Sequence, residues 1–304
     1  MSSRTNPEVV VLMGGFSVER EVSLATGHEC ASALREEGFN VMELDAGRDL
    51  VERLCKLCPN VIFNALHGRW GEDGCVQGIL EWLNLPYTHS GVLASSLAMD
   101  KQKSKEIFRR ANIPVANSLV VSKEEIFQRE VFDRPYVIKP KDEGSSYGVF
   151  FVFDKASLTQ KEKANLPEEV MLEEYIRGRE LTVAVMGEKA LCVTEILTDG
   201  WYDYQAKYSE GGSKHVVPAN IPEKISEACL NYALKAHNAL GCKGLTRTDF
   251  RWDDEMGLEG LFLLETNTQP GMTKTSLCPE QAEVMGIDFP KLCRWILEDA
   301  SCRR

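Results

Sequence analysis

Apolar residues near the start of the chain fall into short blocks separated by longer stretches with helical spacing. Val9–Met13 is five apolar residues in a row, the mark of a strand buried on both faces. Gly14-Gly15-Phe16-Ser17 breaks it as a turn, and a helical pattern then covers about 18–37. The cycle repeats with a strand at 40–44, a helix around 49–56 and a strand at 61–66. Continuous apolar strands alternating with helices predict a parallel sheet covered on both faces. Leu85-Pro86-Tyr87 and Ser90-Gly91 punctuate the end of this region. A helix over about 94–111 leads out of it, which puts a first boundary near residue 98.

From about residue 117 short strands dominate, at 118–121, 136–139, 149–153 and 170–174, with one helix around 123–129. Glycine-bearing loops, EGSSYG (143–148) and GEK (187–189), join this part of the chain. From about 181 come strands at 181–186 and 191–197, then a loop at 199–218, long for a compact domain and of the kind that is functional or disordered. A helix at 222–240, strands at 245–252 and 261–265, and C-terminal helices complete the pattern. The predicted fold class is α/β and α+β: an N-terminal parallel α/β domain (1–98), a central unit (99–180) and a C-terminal unit (181–304).

Composition narrows the functional classes. The chain has 304 residues, 43% hydrophobic and 27% charged, values of a globular protein that exclude a collagen-like, coiled-coil or disordered chain. The longest apolar runs are five residues, so no segment is expected to span a bilayer, and MSSRTNPE has no long apolar leader. The net charge of −11, with no Lys/Arg stripe, argues against nucleic acid or an anionic membrane as partner. The ten cysteines are too dilute for a disulfide scaffold, and the close pair Cys55 and Cys58 has no second pair at metal spacing. Reduced thiols and a cytoplasmic location are expected.

Chemistry concentrates in a few stretches. In LLETNTQPGMT (263–273) an apolar strand runs straight into Glu265 and Asn267, two residues apart and so on one side of a strand. Arg247 and Asp249 are likewise two apart. If the two strands form a hairpin centred near Gly257, Asp249 lies opposite Glu265, and two carboxylates with an amide oxygen make a site suited to Mg²⁺. A solvated polar hairpin face is the alternative. Lys139 ends an apolar strand, a costly position unless it meets an anion. The following EGSSYG offers N–H groups and hydroxyls for phosphates, although alone it reads as an ordinary turn. In GGFSVEREVS (14–23), Glu19 and Ser23 are four apart on one helix face, where open α/β sheets bind ligands. Complementation of the helix dipole is an equal alternative there. His67, in LHGRWGEDG after the third strand, falls near the same crevice. In EEYIRGRE (173–180), a strand followed by Tyr175, Ile176 and Gly178 reads as a hinge able to receive a flat ring, with Glu180 an acceptor for ribose hydroxyls.

Taken together and in order, GGFSVEREVSL, LHGRWGEDG, MDKQKSK, KPKDEGSSYG, EEYIRGRE, WYDYQAKY, GCKGLTRTDF and LLETNTQPGMTKTSL resemble the segments of the D-alanine–D-alanine ligases of the ATP-grasp superfamily, over nearly the whole chain. That resemblance implies an ATP-grasp unit behind an N-terminal substrate domain, and ATP-dependent ligation of two D-alanines through an acylphosphate, in cell-wall synthesis. ATP would be held by Lys101 and Lys139 at its phosphates, by Glu143, Gly144 and Ser146 of the lid, by Glu173, Tyr175, Ile176 and Glu180 at adenosine, and by Lys207 from the long loop. Asp249, Glu265 and Asn267 would bind two Mg²⁺ or Mn²⁺ ions. The first D-alanine would meet Glu19, Ser23 and His67, with Arg247 and the N–H of Gly271 polarising its carboxylate. Ser276 and Leu277 would meet the second. Glu19, Ser145 and Tyr208 resemble a hydrogen-bonded set that links helix, lid and long loop. The family also suggests a homodimer.

Two departures from the family's commonest pattern stand out: Trp70 replaces a usually smaller or polar residue, and Gln269 stands where Ser is frequent. Two other readings share the fold. One is a ligase with a different acceptor, D-lactate or D-serine. The other is a nucleotide-binding regulator without turnover, which would be expected to have lost a metal ligand or a phosphate lysine.

Overall fold

The computed structural model describes residues 9–128, 131–142, 148–153, 166–197 and 214–304. Strand β1 (Val9–Met13) lies between β2 (Val41–Asp45) and β3 (Val61–Asn64) in a parallel sheet. All five β1 residues are buried, and alternate ones enter different cores. Val9, Val11 and Met13 face helix α1 (Arg20–Glu36) through Cys30, Ala31 and Leu34; Val10 and Leu12 face Leu44, Leu54 and Leu80 on the other side. This is the two-sided burial that an unbroken apolar strand needs. Gly27 lets α1 lie directly on β1, since a Cβ there would fall 2.6 Å from the Met13 Cβ. The turn between β1 and α1 uses Gly14 and Gly15 in the left-handed region (φ +74° and +77°), which glycine adopts without a Cβ penalty. Helices α2 (Leu50–Leu57) and α3 (Cys75–Trp82) complete this part; α3 is not among the elements the sequence pattern reveals.

The expected single helix over 94–111 is two helices. α4 (Val92–Met99) ends at Asp100, whose extended backbone (φ −82°, ψ 101°) and carboxylate cap α5 (Lys101–Arg110) through the N–H groups of Gln102 and Lys103. The N-capping aspartate breaks an otherwise continuous helical pattern.

After α5, strands β4 (Ser118–Ser122), β5 (Tyr136–Pro140), β6 (Phe150–Val152) and β7 (Glu169–Glu174) form an antiparallel sheet in the order β4-β7-β5-β6. Between β4 and β5 runs α6 (Lys123–Gln128). The sheet has its own small core, with Tyr136, Ile138, Val170 and Leu172 at its centre. A second antiparallel sheet has the order β10-β9-β8-β11-β12, from β8 (Arg179–Met186), β9 (Lys189–Leu197), β10 (Lys214–Val216), β11 (Leu245–Trp252) and β12 (Leu261–Asn267). The stretch expected as loop up to 218 therefore contributes β10, paired with β9. Helix α7 (Glu223–Leu240) packs on this sheet together with α4 and α5. Helices α8 (Leu277–Val284) and α9 (Phe289–Glu298) carry Ala282, Leu292 and Ile296 into the core that also holds β1 and α1. The N-terminal sheet and the C-terminal elements thus share one apolar interior, which holds their loop ends against each other.

Candidate active site

The hairpin of β11 and β12 builds the centre of the site. Asp249 is the ladder partner of Glu265, and Arg247 of Asn267, so the four side chains share one sheet face. On the other side of β11, Asp249 pairs with Thr182 and Arg251 with Glu180. Thr182 Oγ1 donates to Asp249 Oδ1 at 2.6 Å. Arg247 grips the same carboxylate as a fork, Nε to Oδ1 at 2.8 Å and Nη2 to Oδ2 at 2.7 Å. Lys101 Nζ lies 3.2 Å from Glu265 Oε2, and Asn267 Oδ1 accepts from the Gln269 N–H at 2.8 Å. Asp249 and Lys101 are both buried. Two carboxylates and an amide oxygen on one face are hard oxygen donors, the set that Mg²⁺ or Mn²⁺ takes. In this structure two cations, Arg247 and Lys101, hold the carboxylates.

A second cluster gathers at the ends of β1 and β3. Glu19 is buried at the start of α1, its N–H donating to Ser17 Oγ at 3.1 Å. The Ser23 hydroxyl accepts from the Gly14 N–H and donates to the Ala65 carbonyl, both at 2.8 Å, and so ties the two loops together. His67 is buried with Nε2 3.0 Å from Thr26 Oγ1. Burial, with the Arg247 charge adding to it, lowers the His67 imidazole to about 4 against a hydrogen bond to the Gln269 backbone, so the ring is neutral at pH 7. Glu72, in the same LHGRWGEDG stretch, accepts from the Gly68 N–H at 2.8 Å. Its Oε2 has no hydrogen-bond partner among the described residues. Burial, reinforced by the Glu19 charge, pushes its carboxyl up to about 8. A cavity of about 300 Å³ opens beside this cluster, lined by Gly14, Gly15, Leu66 and His67.

The third cluster lies where α5 meets the central sheet. Glu173 is buried between two lysines: Lys139 Nζ is 2.5 Å from Oε1, and Lys105 pairs with Oε2. Burial alone would raise the Glu173 carboxyl, but the two ammonium groups hold it below the usual carboxylate range. Burial brings fully buried Lys105 down to about 8, still charged at pH 7; it also donates to the Ala116 carbonyl at 3.1 Å. In the hinge that follows β7, Tyr175 meets the rings of Phe151 and Phe153 edge-on at 6.1 Å and 5.1 Å. Arg251 reaches across from β11 and binds the Ile176 carbonyl (3.2 Å), the Gly178 carbonyl (2.9 Å) and Glu180 (3.5 Å). At the opposite end, Ser276 caps the turn before α8, its Oγ accepting from the Thr273 N–H at 3.0 Å. Leu277 opens that helix, and a Cβ on Gly271 would stand 3.4 Å from Ser276 Oγ.

Of the residues expected from the sequence, Glu143, Gly144, Ser145, Ser146, Lys207 and Tyr208 lie outside the described residues. The others fall into these three clusters, except Gly271, Ser276 and Leu277, which lie at the turn before α8. Glu72, Lys105, Phe151, Phe153, Thr182 and Arg251 are site residues the sequence reading did not single out. Two carried a signal: Glu72 lies in the LHGRWGEDG stretch, and Lys105 is four residues after Lys101 in MDKQKSK, hence on the same helix face.

Comparison with known proteins agrees with this arrangement. Residues 107–298 match the family described as D-ala D-ala ligase C-terminus, and residues 47–90 match D-ala D-ala ligase N-terminus. The D-alanine–D-alanine ligase of Ruegeria pomeroyi is 63% identical over 304 residues, covering 100% of this chain and 99% of its own. That of Ruegeria sp. is 60% identical over 303 residues, with the same coverage. Among solved structures, the D-alanine–D-alanine ligase of Bacillus anthracis complexed with ATP superposes with a TM-score of 0.81 at 30% identity, over 96% of this chain and 97% of that one.

Proposed function

The chain belongs to the D-alanine–D-alanine ligase family, and from that premise we propose that it uses ATP to join two D-alanine molecules into D-alanyl-D-alanine, releasing ADP and phosphate for peptidoglycan synthesis. The observation that carries the reading is the shared hairpin face of Arg247, Asp249, Glu265 and Asn267, with Lys101 against Glu265. It brings together phosphate-facing cations and hard oxygen donors at the edge of the Glu19–His67 cluster.

The chemistry follows from these groups. A carboxylate acylates poorly, so its oxygen first attacks the ATP γ-phosphorus, ADP leaves, and an acylphosphate forms. The second D-alanine's amine then attacks the acyl carbon, and the tetrahedral intermediate collapses with loss of phosphate. Lys101 and Lys139 spread the phosphate charge. Arg247 and the Gly271 N–H stabilise the oxyanion. Glu19 takes the first D-alanine's ammonium, beside Ser23 and neutral His67. Ser276 and Leu277 hold the second D-alanine. Asp249, Glu265 and Asn267 would hold Mg²⁺ or Mn²⁺, two ions by family resemblance, and the metal would supply neutralisation of the phosphoryl charge. Tyr175, Ile176, Glu173 and Glu180 hold adenosine, with Phe151 and Phe153 extending the apolar wall around Tyr175.

The remaining assignments are part of the same proposal. Glu143, Gly144 and Ser146 cover the phosphates with Lys207, while Ser145 and Tyr208 link lid and long loop to Glu19, excluding water from the acylphosphate. The division at 98 and 180 into substrate, central and C-terminal units, a homodimer, and a cytoplasmic location complete it. No helix among the described residues is long and apolar enough to cross a membrane.

D-alanine is favoured as acceptor by relatives named D-alanine–D-alanine ligases at 58–63% identity. A regulator without turnover is disfavoured because Lys139, Arg247, Asp249, Glu265 and Asn267 are all present. The test is phosphate release from ATP with no addition, with D-alanine, with D-alanine plus D-lactate and with D-alanine plus D-serine, the products identified by mass. D-alanine alone is expected to give release and the dipeptide. A mixed product in preference to the dipeptide would overturn the acceptor assignment, and no D-alanine-dependent release would overturn the ligase reading.

A further inference from the structure

Gln269 follows the metal-side strand β12 by two residues and is 2% exposed, although its side chain is a primary amide. Such a group is stable there only if its donors and acceptor are matched. Its Nε2 donates to the Leu66 carbonyl, and its Oε1 accepts from Asn64 Nδ2 at 2.7 Å. Asn64, at the end of β3, has no exposed surface; its Oδ1 accepts from the Leu66 N–H at 3.2 Å, and its amide also donates to the Gly71 carbonyl at 3.0 Å. The three groups therefore close a ring: Leu66 N–H to Asn64, Asn64 to Gln269, Gln269 back to the Leu66 carbonyl. Both peptide polar groups of Leu66 are held by amides, one from the N-terminal sheet and one from the C-terminal unit.

Leu66 immediately precedes His67, whose ring is buried against Thr26. The Gln269 N–H meanwhile donates to Asn267 Oδ1. One residue thus touches the segment that carries His67 and the last of the hairpin oxygens.

We propose that Gln269 is a positioning residue that sets the distance between the first-D-alanine pocket at Glu19 and His67 and the phosphoryl-transfer site at Asp249, Glu265 and Asn267. The inference rests on the ligase reading above. Attack of a bound carboxylate on the γ-phosphorus needs the two sites in register to a fraction of an ångström, because small misplacements cost large factors in rate. The amide ring spans the boundary between the two sites with directional bonds, whereas the shared apolar core beneath it constrains distance less sharply.

The test compares wild type with Gln269→Met, which keeps the length and removes both amide bonds, and Gln269→Glu, which keeps the acceptor toward Asn64 and removes the donor toward Leu66. Wild type is assayed first; if it makes no D-alanyl-D-alanine, the ligase reading falls and this proposal with it. If wild type is active, Gln269→Met is expected to raise KM for the first D-alanine and lower kcat, each on the order of tenfold. KM for ATP should stay within about twofold. Gln269→Glu is expected to lose activity at neutral pH and recover part of it as pH falls, since the protonated acid can again donate to Leu66. Active-site titration counts competent molecules. Unchanged D-alanine KM and kcat per competent molecule in both variants would mean that Gln269 only stabilises the fold, and would overturn the proposal while leaving the ligase reading intact. Should Gln269→Met not fold, Gln269→Asn, one methylene shorter and still an amide, is judged by the same KM and kcat criteria.

Discussion

Asp249 and Glu265 face each other across the β11–β12 hairpin because the ladder slips by one residue beside them. From the tip, Trp252 pairs with Leu261, Arg251 with Phe262 and Phe250 with Leu263, yet the next pair is Asp249 with Glu265. Without the slip, Asp249 would stand opposite Leu264 and Arg247 opposite Thr266, and Glu265 would turn to the opposite face. The bulge at Leu264 re-aims one carboxylate, a common use of bulges next to functional sites. It leaves Arg247, Asp249, Glu265 and Asn267 on one face, and Thr248 and Thr266 hydrogen-bonded on the other at 3.0 Å.

Glu265→Gln tests that placement with little change of shape. It removes the charge that faces Lys101 and would hold the metal ion, contributions of several kcal/mol in phosphoryl transfer. ATP-dependent phosphate release is expected to fall by about 100-fold or more, with an unchanged circular dichroism spectrum. Wild-type protein stripped with EDTA should be inactive and recover with Mg²⁺ or Mn²⁺. Near-wild-type turnover of Glu265→Gln would remove Glu265 from the metal site.

The sequence made this pairing legible by an approximate route. A regular hairpin centred on Gly257 puts Asp249 opposite Glu265, and the pairing is present, but the tip is centred half a residue earlier and the bulge makes up the difference. Apolar blocks likewise revealed β1 to β3 and the strands of the two antiparallel sheets, β10 excepted, within a residue or two; β10, a short strand of half-buried and exposed residues, leaves no apolar run. α3 and the break at Asp100 were not legible: Cys75–Trp82 mixes polar and apolar positions, and a capping aspartate inside a helical pattern looks like any surface residue. Nor was Arg251, since its partners Ile176, Gly178 and Glu180 are distant along the chain.

The Lys105–Glu173–Lys139 cluster predicts a large stability effect. Removing one member of a buried charge group leaves an uncompensated charge, at a cost of about 3–5 kcal/mol. Glu173→Gln leaves two buried ammonium groups without their counter-charge and should lower the urea unfolding free energy by about 3–5 kcal/mol. Adding Lys105→Met removes one of the two ammonium groups and should recover part of it. A Glu173→Gln chain as stable as wild type would show that the two lysines do not depend on its charge.

Glu72 predicts a pH dependence whose sign is set by its raised value. The carboxyl titrates near 4.5 in the unfolded chain and at about 8 when folded, so the folded form binds more protons between those values. Stability from this group is fully present below about 4.5 and is lost as pH rises toward 8. His67, lowered to about 4, works oppositely: its contribution is present above about 6.5 and is lost as pH falls toward 4. The two slopes oppose each other between 4.5 and 6.5, so the comparison with Glu72→Gln isolates Glu72. The variant's stability relative to wild type should increase by a few kcal/mol between pH 5 and 8 and level off above. A difference that stays constant across this range would mean Glu72 is ionised in the folded protein.

Arg251 predicts a selective effect on nucleotide binding. It is buried, lies two residues beyond Asp249 on the same face, and donates to the Ile176 and Gly178 carbonyls while pairing with Glu180. Those three groups form the hinge proposed to hold adenosine, and the guanidinium fork sets their separation. Arg251→Met leaves two carbonyls and a carboxylate without their donor, each such loss costing about 1–3 kcal/mol. Because the hinge lies away from Glu19 and His67, the loss should appear as an ATP KM raised about 10- to 100-fold with the D-alanine KM nearly unchanged. Arg251→Lys should not rescue it, since a single ammonium cannot reproduce a planar fork that spans two carbonyls and a carboxylate. Steady-state kinetics with each substrate varied in turn decides the matter, together with urea unfolding to separate binding from folding. Equal rises in both KM values would mean that Arg251 supports the sheet as a whole, whereas a rise confined to ATP ties β11 to adenosine recognition as well as to the phosphoryl-transfer chemistry of Arg247 and Asp249.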